Sequence, residues 1–322
     1  GVPVYLKPYE DPGNAMPERK SQTEVYKQIL DDCQEVLSLM DRTPSTTWNC
    51  AYEPRFIHGM LASIYCYKAM SVAAEESDWQ NAIDHADKAM TGRSFVRDQE
   101  TYNAIFDAPA LQAFTNDEFY LRMVDGFNSQ IVDVAGVYYQ TSTTSQANAY
   151  PEPELYALYK EDDVRKTTFF RTQTDGSIIY DKYNLSASPY PWWASGGIIM
   201  LFRTAETQLI KAEALYRLGK TAEAKDALDF FKTGRYLDIE NSYTESDLLN
   251  EILKERKLEF YHEQDAWWLD MKRTETRMER IVNGTLYVLE PDDYRYCFPI
   301  PQSEMEKNKK MLQNPGWDEI NL

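Results

Sequence analysis

Histidine is nearly missing from this sequence, with three in 322 residues. His58 and His85 stand isolated on helical stretches, and His262-Glu263 is half of an H-E-x-x-H whose second histidine is replaced by Ala266. A catalytic zinc or a histidine-based triad is therefore not expected. Cysteine is as sparse. Cys33, Cys50, Cys66 and Cys297 include no C-x-x-C and no close pair, which argues against a zinc site, and Cys66 reads as a small buried hydrophobe in an apolar helical run. No apolar run is long enough to span a bilayer; the longest candidate, GGIIMLF at 196–202, is far too short. Positive charge is scarce too, since 34 Lys+Arg against 52 Asp+Glu leave a net charge of −18. Nucleic acid, which is held by clustered cations, is thereby excluded, and an anionic lipid surface offers no attraction. No G-x-S-x-G, Walker-type loop or G-x-G-x-x-G occurs, and no cofactor is expected.

What the sequence has in quantity is helical periodicity and aromatic rings. Val25, Ile29, Leu30, Cys33, Val36, Leu37 and Met40 recur at helical spacing and predict an amphipathic helix over 22–40. A second helix is predicted from about Arg55 to Val72 and a third from Asp78, DWQNAIDHADKAM, with Trp79, Ile83, Ala86 and Met90 on one face. A helix of this length, a short turn and a second helix opening D-W-x-x-A-I-x-x-A resemble a tetratricopeptide (TPR) hairpin. The same grammar returns at 203–235, where a long helix, a Leu-Gly-Lys turn and a second helix carrying Ala224, Leu228 and Phe231 follow in order. Between the hairpins, residues 93–202 are irregular and rich in Tyr, Ser, Thr, Asn and Pro, with short strand-like runs at NDEFYLRM, GVYYQTS, VRKTTFF and SIIYDKYN. The fold expected is mainly α, with TPR-like hairpins forming a curved frame and an irregular, partly β insertion across it. It is read as one domain over 1–322, divided into helical hairpins (22–92), insertion (93–202), helical region (203–273) and a C-terminal tail packing on the frame (274–322).

The stretch from Thr244 to Arg273, TESDLLNEILKERKLEFYHEQDAWWLDMKR, organises the rest. Thr244 with Asp247 reads as a helix start, and Leu248, Leu249, Ile252, Leu253 and Phe260 mark an apolar face. Glu255, Arg256 and Glu259 fall within one turn among them, with Arg256 on the apolar face, where a guanidinium is tolerated only if its donors are satisfied. Trp267 and Trp268 require a large pocket, and Asp270, Lys272 and Arg273 are expected to return to solvent. ERKLEFYHE followed by WWLDMKR is similar to the ER-x-x-E-F…R-W-x-D-L-x-R signature of the SusD/RagB family, surface nutrient-binding lipoproteins that partner TonB-dependent transporters. Further on, Tyr296-Cys297-Phe298-Pro299-Ile300-Pro301-Gln302-Ser303-Glu304 and Gln313-Asn314-Pro315-Gly316-Trp317 resemble that family's closing P-I-P-x-x-E…Q-N-P-G-[YFW]. Gln264 replaces the family's glycine, Ala266 its arginine, and Asn308-Lys309 its N-P, departures that bear on local packing. The resemblance implies a SusD-like fold, a glycan or oligosaccharide ligand, a SusC-like TonB-dependent transporter as partner, and an outer-membrane, cell-surface location through a lipid anchor. Gly1-Val2-Pro3 resembles a segment that follows the family's first helical portion, and no lipid-acceptor cysteine stands at the start, so leader and anchor are expected outside this sequence.

Within the insertion, Tyr190-Pro191-Trp192-Trp193 is the ligand candidate, because flat rings stack on the C–H faces of sugars and the prolines limit the ordering entropy lost on binding. Tyr183 and Asn184 lie close enough in sequence to supply hydrogen bonds, and Tyr138 with Tyr139 offers a second aromatic pair, one ring to each strand face. The structural alternative is that these rings plug the seam between insertion and helices. Glu255 and Glu259 have the four-residue spacing of an acid–base pair, but Arg256 between them favours a structural ion network. The run Lys160-Glu161-Asp162-Asp163 reads as a solvated helix edge, with calcium between its oxygen ligands as the alternative. Function is therefore read as non-catalytic glycan capture and delivery. The alternatives are a protein–protein adaptor using the concave face of the hairpins, or a glycan-processing enzyme, which would need a carboxylate pair in a cleft without an intervening arginine.

Overall fold

The computed structural model describes residues 1–6, 16–40, 53–106, 118–124, 150–180, 182, 198–263 and 266–317. In chain order the first helices are α1 (Gln22–Leu39), α2 (Pro54–Ala69), α3 (Asp78–Met90) and the short α4 (Gln99–Asn103), followed by strand β1 (Phe119–Val124). Helices α5 (Pro153–Leu158) and α6 (Val164–Phe169) lead into strands β2 (Phe170–Thr172), β3 (Ile178–Tyr180) and β4 (Ile198–Arg203). Then come α7 (Thr204–Arg217), α8 (Thr221–Lys232), α9 (Ile239–Ser242), α10 (Leu248–Glu259) and α11 (Ala266–Arg273). Strands β5 (Met278–Val282) and β6 (Thr285–Leu289), a 3₁₀ turn at Tyr294–Tyr296 and α12 (Gln302–Lys307) complete it. The fold is mainly α, as the periodicity predicts. The chain divides into two compact units, one of residues 40–66 and 79–266, the other of residues 1–39, 67–78 and 267–322.

The larger unit is built on α7, which is buried on nearly every side; Ala205, Ala212 and Ala214 are small enough for neighbouring backbones to come close. Its end is a Schellman motif: Gly219 takes φ 75° and donates to the Tyr216 carbonyl, while the Lys220 N–H reaches back to the Leu215 carbonyl. This is the Leu-Gly-Lys turn of the sequence, and α8 folds back from it along α7. Gly59 on α2 allows an equally close approach, since a Cβ there would lie 2.6 Å from the Phe202 ring and 3.1 Å from that of Tyr120. Around α4, α6 and the β2–β3 hairpin an aromatic core gathers, with Phe106 edge-on to Phe169 at 5.7 Å and Tyr159 edge-on to Phe170 at 4.9 Å. β1 runs antiparallel to β4 in a ladder from Phe119↔Arg203 to Val124↔Ile198.

Several expectations are corrected here. VRKTTFF is helical over Val164–Phe169 and becomes a strand only at Phe170. Asp163 is the reason: its side chain accepts from the Arg165 N–H and caps the helix, which overrides the β preference of the residues that follow. Asp163 is thus buried, not part of a solvated edge, although Glu161 beside it is exposed and pairs with Lys166 at 2.6 Å. The helix start expected at Thr244 falls at Asp247, whose carboxylate accepts from the Asn250 N–H. His58 and His85 are not isolated, since their Nδ1 atoms lie 2.9 Å apart across α2 and α3.

In the smaller unit, Ser21 and Glu24 form a reciprocal capping box at the start of α1. Lys68, 4 % exposed, binds both oxygens of the fully buried Asp78 at 2.9 Å. Trp267 and Trp268 pack half-buried against Met271, Leu289 and Tyr296, and Trp268 stacks on Phe298 at 5.4 Å. Lys272 returns to solvent, whereas Asp270 and Arg273 are buried and paired at 2.8 Å. β5 and β6 form a hairpin whose Asn283-Gly284 turn has two positive φ values, 50° and 79°. Gln313-Asn314-Pro315-Gly316-Trp317 forms the type II turn that Pro and Gly predict, with Gly316 at φ 84° and the Trp317 N–H on the Asn314 carbonyl. The Trp317 indole donates to the Cys297 carbonyl, and Arg19 donates to Leu312 and Asn314 oxygens, so this turn joins both ends of the unit.

Candidate ligand-binding surface

Tyr138, Tyr139, Tyr183, Asn184, Tyr190, Trp192 and Trp193 lie outside the described residues. The residues that bracket them are described, and all belong to the larger unit. Val124 and Ile198 are register partners at one end of the β1–β4 ladder. Residues 125–149, which carry Tyr138 and Tyr139, follow Val124 directly, and residues 183–197, which carry Tyr190, Trp192 and Trp193, run into Ile198. Both candidate stretches thus join the scaffold at the same edge.

A single carboxylate ties the residue before the second stretch to the far end of the strand that follows it. Lys182, the last described residue before it, pairs with Glu263 Oε1 and donates to the Glu259 carbonyl at 2.8 Å. Arg203, at the end of β4, grips the same carboxylate with two N–H groups at 2.7 and 2.8 Å. Burial pulls the Lys182 ammonium down to about 8 despite Glu263. Phe169 and Phe106 face that ammonium at 4.2 and 5.3 Å and supply ring electrons in place of water.

Glu263 belongs to a larger buried network. Glu118, Asp163, Glu251, Glu255, Glu259 and Glu263 face Arg165, Lys182, Arg203, Lys232, Arg235 and Lys254. Glu259 receives Arg203 at 2.5 Å, Arg235 at 2.9 Å and Arg165 at 3.4 Å, and Glu255 receives Arg165 at 2.7 Å. Burial alone would raise both carboxyls, but these cations outweigh it, holding Glu255 low and Glu259 well below the usual carboxylate range. Both carboxylates are fully enclosed. A pair so placed binds the elements to one another and presents no carboxyl to a substrate. Arg256 is buried on the same helix, with its guanidinium 5.7 Å from the Phe260 ring.

Sequence reading singled out Glu255 and Glu259 but missed the cations that face them. Arg165, Arg203 and Arg235 stand 94, 56 and 24 residues from Glu259. The available signal was an arginine closing an apolar run, as Arg203 closes IIMLF, since such a cation needs a distant acid.

Comparison with solved structures bears on the fold. A SusD superfamily protein from Bacteroides thetaiotaomicron superposes with a TM-score of 0.75 at 20 % identity, covering 98 % of this chain and 71 % of that one. A SusD-like carbohydrate binding protein from Bacteroides vulgatus gives 0.70 at 20 % identity, covering 96 % and 70 %. At that identity the likeness speaks for the fold. The sequence model of the SusD family matches residues 67–317, and the chain belongs to this family. Among characterised relatives, SusD-like protein P38 of Formosa agariphila is 35 % identical over 200 residues, 55 % of this chain and 38 % of that protein. Starch-binding protein SusD of Bacteroides thetaiotaomicron is 30 % identical over 119 residues, 37 % of this chain and 21 % of that protein. The matched stretches therefore span well under half of either relative.

Proposed function

We propose that this chain captures glycans or oligosaccharides at the cell surface without transforming them. It passes them to a SusC-like TonB-dependent transporter in the outer membrane, and a lipid anchor encoded outside this sequence holds it there. Tyr190, Trp192 and Trp193 are the stacking surface, Tyr183 and Asn184 orient hydroxyl groups, and Tyr138 and Tyr139 flank them. The observation that carries the reading is the shared edge of the ladder. Two aromatic-bearing stretches far apart in sequence join the scaffold at Val124 and Ile198, and Glu263 ties Lys182, before one of them, to Arg203, at the far end of the strand that follows it. A base so fixed suits recognition. The starch-binding relative supports a carbohydrate ligand. The enclosure of Glu255 and Glu259 supports a non-catalytic role. Among the described residues no helix is long and apolar enough to cross a membrane, which fits attachment by a lipid.

The test is a polysaccharide and oligosaccharide binding panel on the chain, alongside a folded Trp192→Ala/Trp193→Ala double variant. Binding that the double variant loses by about tenfold or more is expected, because each stacked ring contributes on the order of 1 kcal/mol. Undiminished binding in that variant would move the site away from this stretch.

A further inference from the structure

The smaller unit encloses little apolar surface. Among the described residues its buried apolar side chains are Cys33, Ala73, Met271, Leu289 and Tyr296, while the larger unit has the aromatic core and the enclosed α7. Most of the large apolar side chains that the described residues expose nevertheless belong to the smaller unit, which is the shorter of the two. Apolar surface on that scale marks an interface.

Three elements carry it. In α1 the polar side is closed by pairs within the helix, Lys27 with Asp31 at 2.5 Å and Gln28 with Asp32 at 2.7 Å. Its apolar stripe is not closed. Cys33 is the one buried residue of that helix, and Ile29, Val36 and Leu39, at helical spacing, are exposed. The β5–β6 hairpin has the same imbalance. Met278 and Leu289, register partners, pack with Trp267 and Trp268, whereas Ile281 and Leu286, partners on the opposite face, are 72 % and 55 % exposed. At the third place Phe298 lays one ring face on Trp268 and is still 69 % exposed, with Leu312 at 77 %. Arg19 links these two. Its guanidinium donates to the Leu312 carbonyl and to Asn314, whose amide nitrogen donates to the Phe298 carbonyl. Its Nε donates to the Gly1 carbonyl at 2.9 Å, which sets Gly1 beside this pair.

We propose that these faces form an intramolecular interface, covered in the whole protein by amphipathic helical polypeptide encoded ahead of Gly1. An apolar stripe at helical spacing is matched by a second helix, whose side-chain ridges fill its grooves. A two-stranded hairpin with one bare face likewise needs a further layer to be stable. The solved SusD superfamily relative takes up 98 % of this chain, yet this chain covers 71 % of it, so part of that fold has no counterpart in residues 1–322. Gly1 lies beside Phe298 and Leu312, so a segment joined to it reaches this surface through a short connection, at little cost in loop closure. This interface stands independently of the glycan reading, and either can fail alone.

The test compares the protein made from its whole reading frame with the 1–322 chain by hydrogen–deuterium exchange. Peptides from α1 and from the β5–β6 hairpin are expected to exchange at least about tenfold more slowly in the longer protein, while peptides from α7, enclosed already, keep one rate. A double substitution gives a second readout. Ile29→Asp/Val36→Asp, at exposed positions, is expected to leave the urea midpoint of the 1–322 chain near its starting value and to lower that of the longer protein. A reading frame with nothing beyond a leader and anchor ahead of Gly1 would overturn the proposal, and so would equal exchange of α1 and the hairpin in both proteins. A dimer formed by both proteins and abolished by Ile29→Asp/Val36→Asp would also overturn it, because the face would then belong to a second copy.

Discussion

Glu259 shows what a buried charge does in this fold. Three guanidiniums converge on its two oxygens, and the Tyr102 hydroxyl adds a fourth donor at 3.2 Å. Replacing it by glutamine keeps the shape but removes the charge on which three buried guanidiniums converge, leaving Arg165 to Asp163 and Glu255, Arg203 to Glu263 and Arg235 to Glu118. Glu259→Gln is expected to destabilise the protein by roughly 3–5 kcal/mol, the range for breaking a buried ion pair. Glu223→Gln, at an exposed site, should stay within about 0.5 kcal/mol of wild type. Urea unfolding of the three proteins decides it, and equal midpoints would remove the network from the account of stability. The sequence exposed this residue only halfway. Glu259 was legible because Arg256, read on the apolar face within a turn of it, needs carboxylates to satisfy its donors. Its partners were not, because sequence shows charge while three-dimensional folding decides which charges meet.

Helices were the legible elements, since their spacing is written within the element itself. α2, α3, α7 and α8 lie within a few residues of where the apolar repeats put them. α6 was not legible as a helix, because β-branched and aromatic residues dominate it; the Asp163 cap, two residues ahead of Arg165, was the overlooked sign. The His58–His85 pair between α2 and α3 did escape, although the hairpin itself was expected, and it has a consequence at acid pH. The His58–His85 bond needs one ring nitrogen as donor and the other as acceptor, and Tyr65 stacks on His85 at 5.6 Å. Burial first, then His58 and Lys88, pull the His85 imidazole down to about 4, and burial lowers His58 as well. Both groups therefore bind protons more weakly in the folded chain than in the unfolded one, where histidine titrates near 6.5. The stability they contribute is complete above about pH 6.5 and is lost as pH falls from there toward 4. The depressed Glu255 and Glu259 act in the same direction but only below the ordinary carboxylate range, so the window between about pH 7 and 5 isolates the histidines. Thermal unfolding across that window is expected to drop for wild type and to drop less steeply for His85→Phe, which keeps a ring against Tyr65; the remaining slope belongs to His262, pulled down to about 4 by burial and Lys182. A slope unchanged by the substitution would show that the histidine pair does not set it.

For the molecule as a whole, the buried network separates two roles that the composition mixes together. Its six carboxylates and six cations cancel, so none of the net charge of −18 resides there. What the network does is join chain segments far apart in sequence, from Glu118 through Arg165, Lys182, Arg203 and Arg235 to Glu263. Glu263 ties Lys182, just before the candidate glycan stretch, to Arg203, at the far end of the strand after it. Glu263→Gln is therefore expected to loosen the described residues on either side, 178–180, 182 and 198–203, beyond any general loss of stability. Glu251→Gln is the matched comparison: that carboxylate is also fully buried, but it serves Lys232 and Lys254, away from Lys182 and Arg203. Hydrogen–deuterium exchange of peptides ending at Lys182 and of peptides covering 198–203 should speed up in Glu263→Gln and stay near wild type in Glu251→Gln, at a temperature where both remain folded. If the glycan reading is right, sugar affinity should fall only in the first variant, because the base from which Tyr190, Trp192 and Trp193 depart is then less fixed. The same exchange in both variants would mean that the network stabilises the unit without fixing the residues that bracket the candidate stretch.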